Sequence, residues 1–218
     1  MPRPSRNLDR ALIAAGRELF PYRGCASLSV REVADAAGVN LGMFHYHFKS
    51  RDVFLRAVMQ NAYEEMFATL TLQISRSAET VTNLRAALRA IVRFVRDNRR
   101  FLGRVLADAL SDEQCARDFL RDNLPRHLGV LHMLIAQGQK EGALAAIPVP
   151  QAIGTCAGAL AMPILFGGAL IDSGSLEPAT AKMIESTLLS DSALDQRIEL
   201  VLKAISASTP QRKTRGKR

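Results

Sequence analysis

Residues 29–48, SVREVADAAGVNLGMFHYHF, constrain the fold most strongly because they predict two short helices joined by a glycine turn. Ser29 followed three residues later by Glu32 is a capping box, which starts the first helix. Gly38 supplies the positive φ that a tight turn between crossed helices needs. Asn40 is a favourable N-cap for the second helix. This order of signals predicts a helix-turn-helix, whose second helix enters the major groove of DNA.

The apolar side chains of both helices fall at helical spacing and predict one buried face on each. The buried face of the first helix is expected to contain Val30, Val33, Ala34 and Ala37, and that of the second Phe44 and Phe48. The opposite face of the second helix is expected to carry Leu41, Met43, His45, Tyr46 and His47. Since residues two apart on a helix point in different directions, His45 and His47 cannot share one metal ion. We expect neither a metal nor another cofactor.

Amphipathic segments on both sides complete a three-helix domain with a fourth helix leading away. The preceding helix has an apolar stripe formed by Leu8, Ala11, Leu12, Ala15, Leu19 and Phe20. Pro21 and Gly24 are predicted to end it. Ser50 is predicted to cap a longer helix that begins at Arg51.

At these residues the chain resembles the TetR family of bacterial transcriptional regulators. The matching segments are LDRALIAAGRELFPYRG and SVREVADAAGVNLGMFHYHFKSRDVF, which agree with the family in order and spacing. The resemblance implies an all-α homodimer, with a three-helix DNA-binding domain followed by a helical ligand-binding and dimerisation domain. Together with the periodic segments downstream it implies about nine helices in total. Most such proteins are repressors released from DNA by a small molecule.

The resemblance also assigns roles to individual residues of the helix-turn-helix. It places Ser29, Tyr46, His47 and Arg51 on backbone phosphates. It places Leu41, Gly42, Met43 and His45 at or near base edges. Asn40 and Lys49 complete the DNA-binding set.

Leu41 and Met43 depart from the family pattern, which is often polar or charged at the first position and small or hydroxylated at the second. Both side chains can contact thymine methyl groups, but neither can distinguish hydrogen-bond donors from acceptors. We therefore expect methyl contacts and DNA shape to carry much of the sequence specificity.

Charge is distributed unevenly and supports a division into three parts. Residues 1–54 contain 8 Lys or Arg and 5 Asp or Glu, residues 55–206 contain 16 of each, and residues 207–218 contain 5 and 0. We interpret residues 1–54 as the helix-turn-helix domain, residues 55–206 as the helical ligand-sensing and dimerisation domain, and residues 207–218 as a disordered basic tail. Arg3 and Arg6 form a basic N-terminal arm, for which DNA contact and simple solvation are equally compatible with the sequence.

Three cysteines, Cys25, Cys115 and Cys156, form no CxxC spacing. Together with an N-terminus that has no secretory signal, they indicate a reduced, cytoplasmic chain. Buried or incidental thiols are the favoured interpretation, because no resolving partner is evident from the sequence. A redox-sensing thiol is the alternative.

The middle of the chain is predicted to be a series of helices at residues 81–98, 100–110 and 113–141. The last of these is one helix or two, depending on the effect of Pro125. Residues 81–98 carry an arginine stripe formed by Arg85, Arg89, Arg93 and Arg96. A solvated surface is the favoured interpretation of this stripe, and an anionic partner is the alternative.

Residues 149–171 contain no charged residue, so a membrane span has to be considered. Gln151, Pro163 and the lack of basic flanks favour a buried helix of a protein that does not enter membranes. Its small residues Gly154, Ala157, Gly158 and Ala161 would allow close helix approach. Residues 178–205 are predicted to form the last long helix. The resemblance implies that these last two helices build a four-helix dimer interface, with packing inside the monomer as the alternative.

The resemblance further implies a ligand cavity between the middle helices. The polar candidates for lining it are Arg104, Asp108, His127, His132, Thr155 and Cys156, and the apolar candidates are Phe101, Leu131, Met162 and Phe166. No GxSxG, HExxH or phosphate-binding glycine loop is present, so we do not expect an enzyme. The alternative to a ligand-released repressor is a related DNA-binding protein that acts as an activator, or in chromosome organisation, without an inducer.

Overall fold

A computed structural model describes residues 5–74 and 78–207, with side chains from Leu8 onward. Arg3, the side chain of Arg6 and the basic tail from residue 208 lie outside the described part. The described residues form ten α-helices and no β-strand, which confirms the predicted all-α fold. The helices are α1 Ser5–Ser27, α2 Val30–Ala36, α3 Leu41–His47, α4 Arg51–Gln73, α5 Thr80–Asp97, α6 Arg99–Leu110, α7 Gln114–Lys140, α8 Val149–Asp172, α9 Pro178–Ile184 and α10 Asp191–Ile205.

The first helix is longer than predicted, because Pro21 lies within α1 instead of ending it. Only Gly24 interrupts the helix, with a φ of 65° that a side chain would disfavour. Phe20 and Cys25 are buried on either side of this kink and anchor both parts of the helix. Pro125 likewise lies inside α7, which is a single helix.

The predicted helix at residues 178–205 is wrong in one respect, because it is divided in two. A π-helical turn, Glu185–Leu189, follows α9, and Ser190 then adopts an extended backbone with a ψ of 152°. The Ser190 hydroxyl accepts a hydrogen bond from the Ala193 amide at 3.3 Å and so caps α10. Ser190 is thus an N-cap within the apolar periodic segment, and it divides the predicted single helix into α9 and α10.

The predicted arginine stripe on α5 is partly exposed to solvent, and it also contacts α10, which the sequence did not predict. The carboxylates of α10 lie opposite the stripe, at 2.6 Å for Arg85–Glu199, 2.7 Å for Arg89–Asp195, 2.6 Å for Arg96–Asp191 and 3.5 Å for Arg93–Asp191. Each half-exposed pair contributes at most about 1 kcal/mol. Their regular spacing nevertheless fixes the register of α5 against α10.

Helix α8 packs against α5, α6, α7 and α10. By length and composition it is apolar enough to cross a membrane. The buried side of α8 faces the protein core and is formed by Cys156, Leu160 and Ile164. In the single chain the predicted buried helix is buried on one side only, because Gly154, Ala157 and Gly158 are exposed. A second apolar face of α8 is therefore left uncovered.

Candidate nucleic-acid interface and ligand cavity

Local hydrogen bonds shape the helix-turn-helix as the sequence predicts. The Ser29 hydroxyl accepts from the Glu32 amide at 3.1 Å, and the Asn40 side chain accepts from the Met43 amide at 2.9 Å. Gly38 has a φ of 64° in the turn. In the predicted capping box the Glu32 carboxylate would accept a hydrogen bond from the Ser29 amide. It accepts one from Arg23 Nε instead, at 2.8 Å. This ion pair ties the end of α1 to α2.

Three phenylalanines hold α3 against α4. Phe44 and Phe48 on the inner side of α3 each lie with their ring centroid 5.0 Å from that of Phe54. All three side chains are buried. Their edge-to-face packing fixes the orientation of α3, and with it the direction of the opposite face.

The outer face of α3 projects from the protein. Tyr46 is 73% exposed and Leu41 is 39% exposed. Gly42, His45 and Lys49 are exposed as well. The face thus offers a phenolic hydroxyl, an imidazole and an ammonium group as donors, with an aliphatic side chain and a bare backbone beside them. These are groups that can contact phosphates, base edges and methyl groups.

Three residues of the predicted DNA-binding set are turned towards the protein. Met43 is half-buried and packs against the hydrophobic core. His47 Nε2 is buried and has no hydrogen-bond partner among the described residues. Arg51 Nε donates to the Leu28 carbonyl at 2.7 Å, which ties the start of α4 to the end of α1. Met43, His47 and Arg51 are therefore less accessible than Leu41 and Tyr46, and their DNA contacts stay predictions.

A cavity of about 190 Å³ lies between α4, α5, α6, α7 and α8. Apolar side chains form most of its wall: Met59, Ala62, Met66, Ile91, Phe94, Val95, Phe101, Leu102, Val105, Leu106, Phe119, Leu120, Leu124 and Leu165. Tyr63, Asn123 and His127 supply the polar groups. A mainly apolar wall with a few polar groups is the composition typical of a ligand site.

The polar groups of the cavity form a hydrogen-bonded set that carries no charge near neutral pH. Tyr63 donates from its hydroxyl to the Asn123 carbonyl at 2.8 Å, and this hydroxyl lies 3.2 Å from His127 Nδ1. Burial lowers the pKa of His127, against a smaller opposing effect of the Asn123 backbone. Burial likewise raises the pKa of Tyr63. The cavity is therefore suited to an apolar molecule with an uncharged polar group.

Only two of the ten predicted ligand-binding residues, Phe101 and His127, line this cavity. Arg104 and Asp108 do not line it and instead pair with each other, with Arg104 Nε 2.8 Å from Asp108 Oδ1 but without hydrogen-bond alignment. Asp108 is 2% exposed and also accepts the Cys25 amide at 2.6 Å. These two residues join α6 to α1.

The other six predicted ligand-binding residues lie elsewhere in the fold. Leu131 and Cys156 are buried in the hydrophobic core, away from the cavity. Burial raises the pKa of the Cys156 thiol to about 11. The remaining four are exposed on the surface: His132, Thr155, Met162 and Phe166. A polar residue in an apolar helix thus did not predict which residues line the cavity.

The contribution of α4 to the cavity was not among the residues predicted from the sequence. Met59, Tyr63 and Met66 recur at helical spacing on α4 and all face the cavity. This mixed aromatic and methionine stripe is the signal that could have identified it. A comparable stripe surrounds Asn123 on α7, where Phe119, Leu120, Leu124 and His127 share its face at helical spacing and also line the cavity.

The comparisons with known proteins agree with this geometry. The family model for bacterial regulatory proteins of the TetR family matches residues 12–58, which span the helix-turn-helix. The chain belongs to the TetR family. It is a DNA-binding transcriptional regulator, and its curated relatives are named as regulators, not as enzymes.

The relatives of this TetR-family protein include activators and repressors. The Probable HTH-type transcriptional regulator YttP of Bacillus subtilis is 24% identical over 71% of this chain and 75% of its own length. The transcriptional activator FasR of Mycolicibacterium smegmatis is 30% identical over 44% of this chain and 42% of its own. The transcriptional repressor KstR2 of Rhodococcus jostii is 27% identical over 37% of this chain and 38% of its own length. The chain thus spans less than half the length of FasR and of KstR2.

A solved structure extends the likeness to the whole fold. The TetR-family transcription regulator from Marinobacter aquaeolei matches with a TM-score of 0.67, 16% identity, and coverage of 92% of this chain and 96% of that one. At this identity the match supports the arrangement of helices alone.

Proposed function

We propose that this TetR-family protein is a cytoplasmic, dimeric repressor that binds a palindromic operator and leaves it when a small molecule enters the cavity. The main support for DNA binding is the exposure of the outer face of α3, while Phe44 and Phe48 hold the helix against the core. Such a face is presented rigidly to a groove, as helix-turn-helix recognition requires.

We assign the DNA contacts to the exposed members of the predicted set. Tyr46 and Lys49 suit backbone phosphates, and Leu41, Gly42 and His45 suit the groove edges. Ser29 and Asn40 are exposed caps whose side chains stay close to the turn. Because Leu41 reads only methyl groups, thymine contacts and DNA shape should carry much of the specificity.

The uncovered face of α8 supports the dimer. Met162, Phe166 and Leu170 are exposed at helical spacing, next to the small residues Gly154 and Gly158. An apolar stripe with small residues lets a second copy approach closely, and a two-fold axis would pair the stripe with itself. The two DNA-binding domains would then meet half-sites about 34–36 Å apart.

A physical route joins the cavity to the DNA-binding domain. Phe101 of α6 lines the cavity, and its ring centroid lies 4.8 Å from that of Phe20 in α1. Helix α4 also lines the cavity and starts directly after α3. A ligand that repositions α6 or α4 therefore changes the separation of the two DNA-binding domains. It releases DNA only to the extent that it binds the free dimer more tightly than the DNA-bound dimer.

Replacing Tyr46 with alanine is expected to weaken binding to the operator by about tenfold, because one phosphate contact per subunit is lost. The thermal stability should not change, since the side chain is 73% exposed. The measurement is a fluorescence-anisotropy titration on DNA upstream of the gene and on scrambled DNA, at several salt concentrations. Tyr22→Ala is the matched control, because Tyr22 is similarly exposed but lies on α1.

Preferential binding of the wild-type protein to the upstream DNA, weakened only by Tyr46→Ala, would support a sequence-specific autoregulator. If Tyr46→Ala and Tyr22→Ala bound equally well, the assignment of the outer face of α3 to DNA would be wrong. Equal binding to both DNAs would point to another operator, which genome-wide mapping would locate.

Replacing Ala62 with phenylalanine is expected to fill the cavity and to abolish stabilisation by ligands while DNA binding persists. A cavity of 190 Å³ holds about ten non-hydrogen atoms at the packing density of proteins. The probes are therefore uncharged alcohols and amides of that size in a thermal-shift screen. A compound present at about 100 times its Kd stabilises by about 2.7 kcal/mol. Ala68→Phe is the control, because Ala68 is exposed on the same helix.

Stabilisation that persists in Ala62→Phe would place the ligand outside this cavity. No stabilisation of the wild-type protein by any probe would count against a ligand-released repressor of this kind. The alternative is then an activator or a chromosome-organising protein without an inducer. Genome-wide occupancy separates these, since a regulator occupies a few promoters and an organising protein occupies many dispersed sites.

A further inference from the structure

The polar side chains of the cavity wall use their hydrogen-bond donors within the protein. Asn123 Nδ2 donates both of its protons, to Gln60 Oε1 at 3.0 Å and to the Phe119 carbonyl at 3.0 Å. Tyr63 donates its single hydroxyl proton to the Asn123 carbonyl at 2.8 Å. Neither side chain therefore has a proton left to donate to a ligand.

The position of the proton on the His127 ring follows from the same hydrogen bonds. His127 Nδ1 lies 3.2 Å from the Tyr63 hydroxyl oxygen. Because the hydroxyl proton is already used in the shorter bond to Asn123, this second contact is a hydrogen bond only if Nδ1 carries a proton. Burial lowers the pKa of His127, so the neutral ring has no other proton near neutral pH. Nε2 therefore carries a lone pair, and none of the described residues donates to it.

The rest of the described wall supplies neither a donor side chain nor a charge. Met59 and Met66 bring thioether sulfurs, which are weak acceptors. Arg126 stacks over the Tyr63 ring, 5.0 Å from its centroid, but it is not part of the wall and pairs with Glu64 at 2.5 Å. An anion in the cavity would thus lose its water without gaining a donor or a counter-charge, which makes its burial costly.

We propose that the cavity selects hydrogen-bond donors: its ligand is a neutral, mainly apolar molecule whose single hydroxyl or N–H group donates to His127 Nε2. This inference rests on the cavity being the ligand site of the proposed function. A hydroxyl group satisfies the lone pair of Nε2. An ether or ester oxygen would meet that lone pair with another acceptor, and both would stay unpaired. His127 is thus the residue that determines the ligand class.

The experiment compares two isomers that differ in whether their oxygen carries a proton. Para-propylphenol and para-ethylanisole have the same formula, with about ten non-hydrogen atoms, which is the size that fits the cavity. Calorimetric titration of the full-length protein measures the Kd of each. The phenol should bind about 10- to 100-fold more tightly, because the buried ether oxygen loses its water and gains no partner. Para-ethylbenzoate, an anion of similar size, should show no measurable binding.

Replacing His127 with phenylalanine removes the acceptor and keeps a ring in its place. This variant should bind the two isomers with nearly equal affinity, because neither can then form the hydrogen bond. His132→Phe is the matched control, since His132 is exposed on the same helix, and it should keep the preference of the wild-type protein. The comparison of isomers on the wild-type protein decides the question even if His127→Phe folds poorly.

The outcomes separate this inference from the proposed function. Equal binding of the two isomers, tighter binding of the ether, or binding of the benzoate would overturn the donor selectivity and leave ligand release standing. A preference that persists in His127→Phe would overturn the role of His127. Binding of neither isomer would overturn the inference, and a wider screen without any stabilising compound would count against the ligand site itself.

Discussion

Replacing Asp108 with alanine is expected to lower the free energy of unfolding by about 2–4 kcal/mol. The change leaves the buried Cys25 amide without its acceptor and Arg104 without its counter-charge. Breaking a fully buried ion pair can cost more than this. The loss is smaller here because the Arg104 side chain is 34% exposed and water can partly solvate it. The measurement is chemical denaturation of both proteins under identical conditions.

Glu199→Ala is the matched control for this loss, since it also removes a carboxylate paired with an arginine. The Glu199 side chain is 53% exposed in its pair with Arg85, so its removal should cost within about 1 kcal/mol. If Asp108→Ala were as stable as the wild-type protein, Asp108 would not join α6 to α1. A role in ligand binding, as the sequence suggested, would then have to be reconsidered.

Replacing Phe166 with arginine is expected to convert the dimer into a monomer and to weaken operator binding by about 10²- to 10⁴-fold. Phe166 is 68% exposed in the single chain, so the substitution leaves the monomer fold intact. In the proposed interface, however, it would place two like charges across a two-fold axis in an apolar contact. Light scattering measures the mass, and anisotropy measures the affinity for DNA with both half-sites.

Leu72→Arg introduces the same charge at another exposed apolar residue and serves as the control. Leu72 is 85% exposed on α4, outside the apolar face of α8. It should remain dimeric and should bind the operator at least as tightly as the wild-type protein. A dimer that persists in Phe166→Arg would show that a different face joins the subunits.

The helix-turn-helix could be predicted in detail because its signals are local. Ser29, Gly38 and Asn40 act on backbone groups within a few residues, and Phe44 and Phe48 share a face by helical spacing alone. The same kind of reasoning could not establish which exposed residues remain free. Arg51 has a side chain suited to phosphate, but its Nε donates a hydrogen bond to the carbonyl of Leu28, which is 23 residues away.

The cavity and the dimer face show the limits of composition. Thr155 and His132 are polar residues in apolar surroundings, yet both are exposed. Tyr63 and Asn123 come from different helices and form one polar set only after α4 and α7 pack together. The uncovered face of α8 also became evident only once its other face was occupied by the core.

By itself the sequence determined the all-α class, the position of the DNA-binding motif and the family, because capping residues, a turn glycine and helical periodicity act over one or two turns of chain. Only the tertiary structure decided the cavity, the pairing of the arginine stripe with α10, and the hydrogen bond from the Cys25 amide to Asp108. Each of these depends on which faces of distant helices meet. That choice is made by packing over the whole core, which no local pattern of residues encodes.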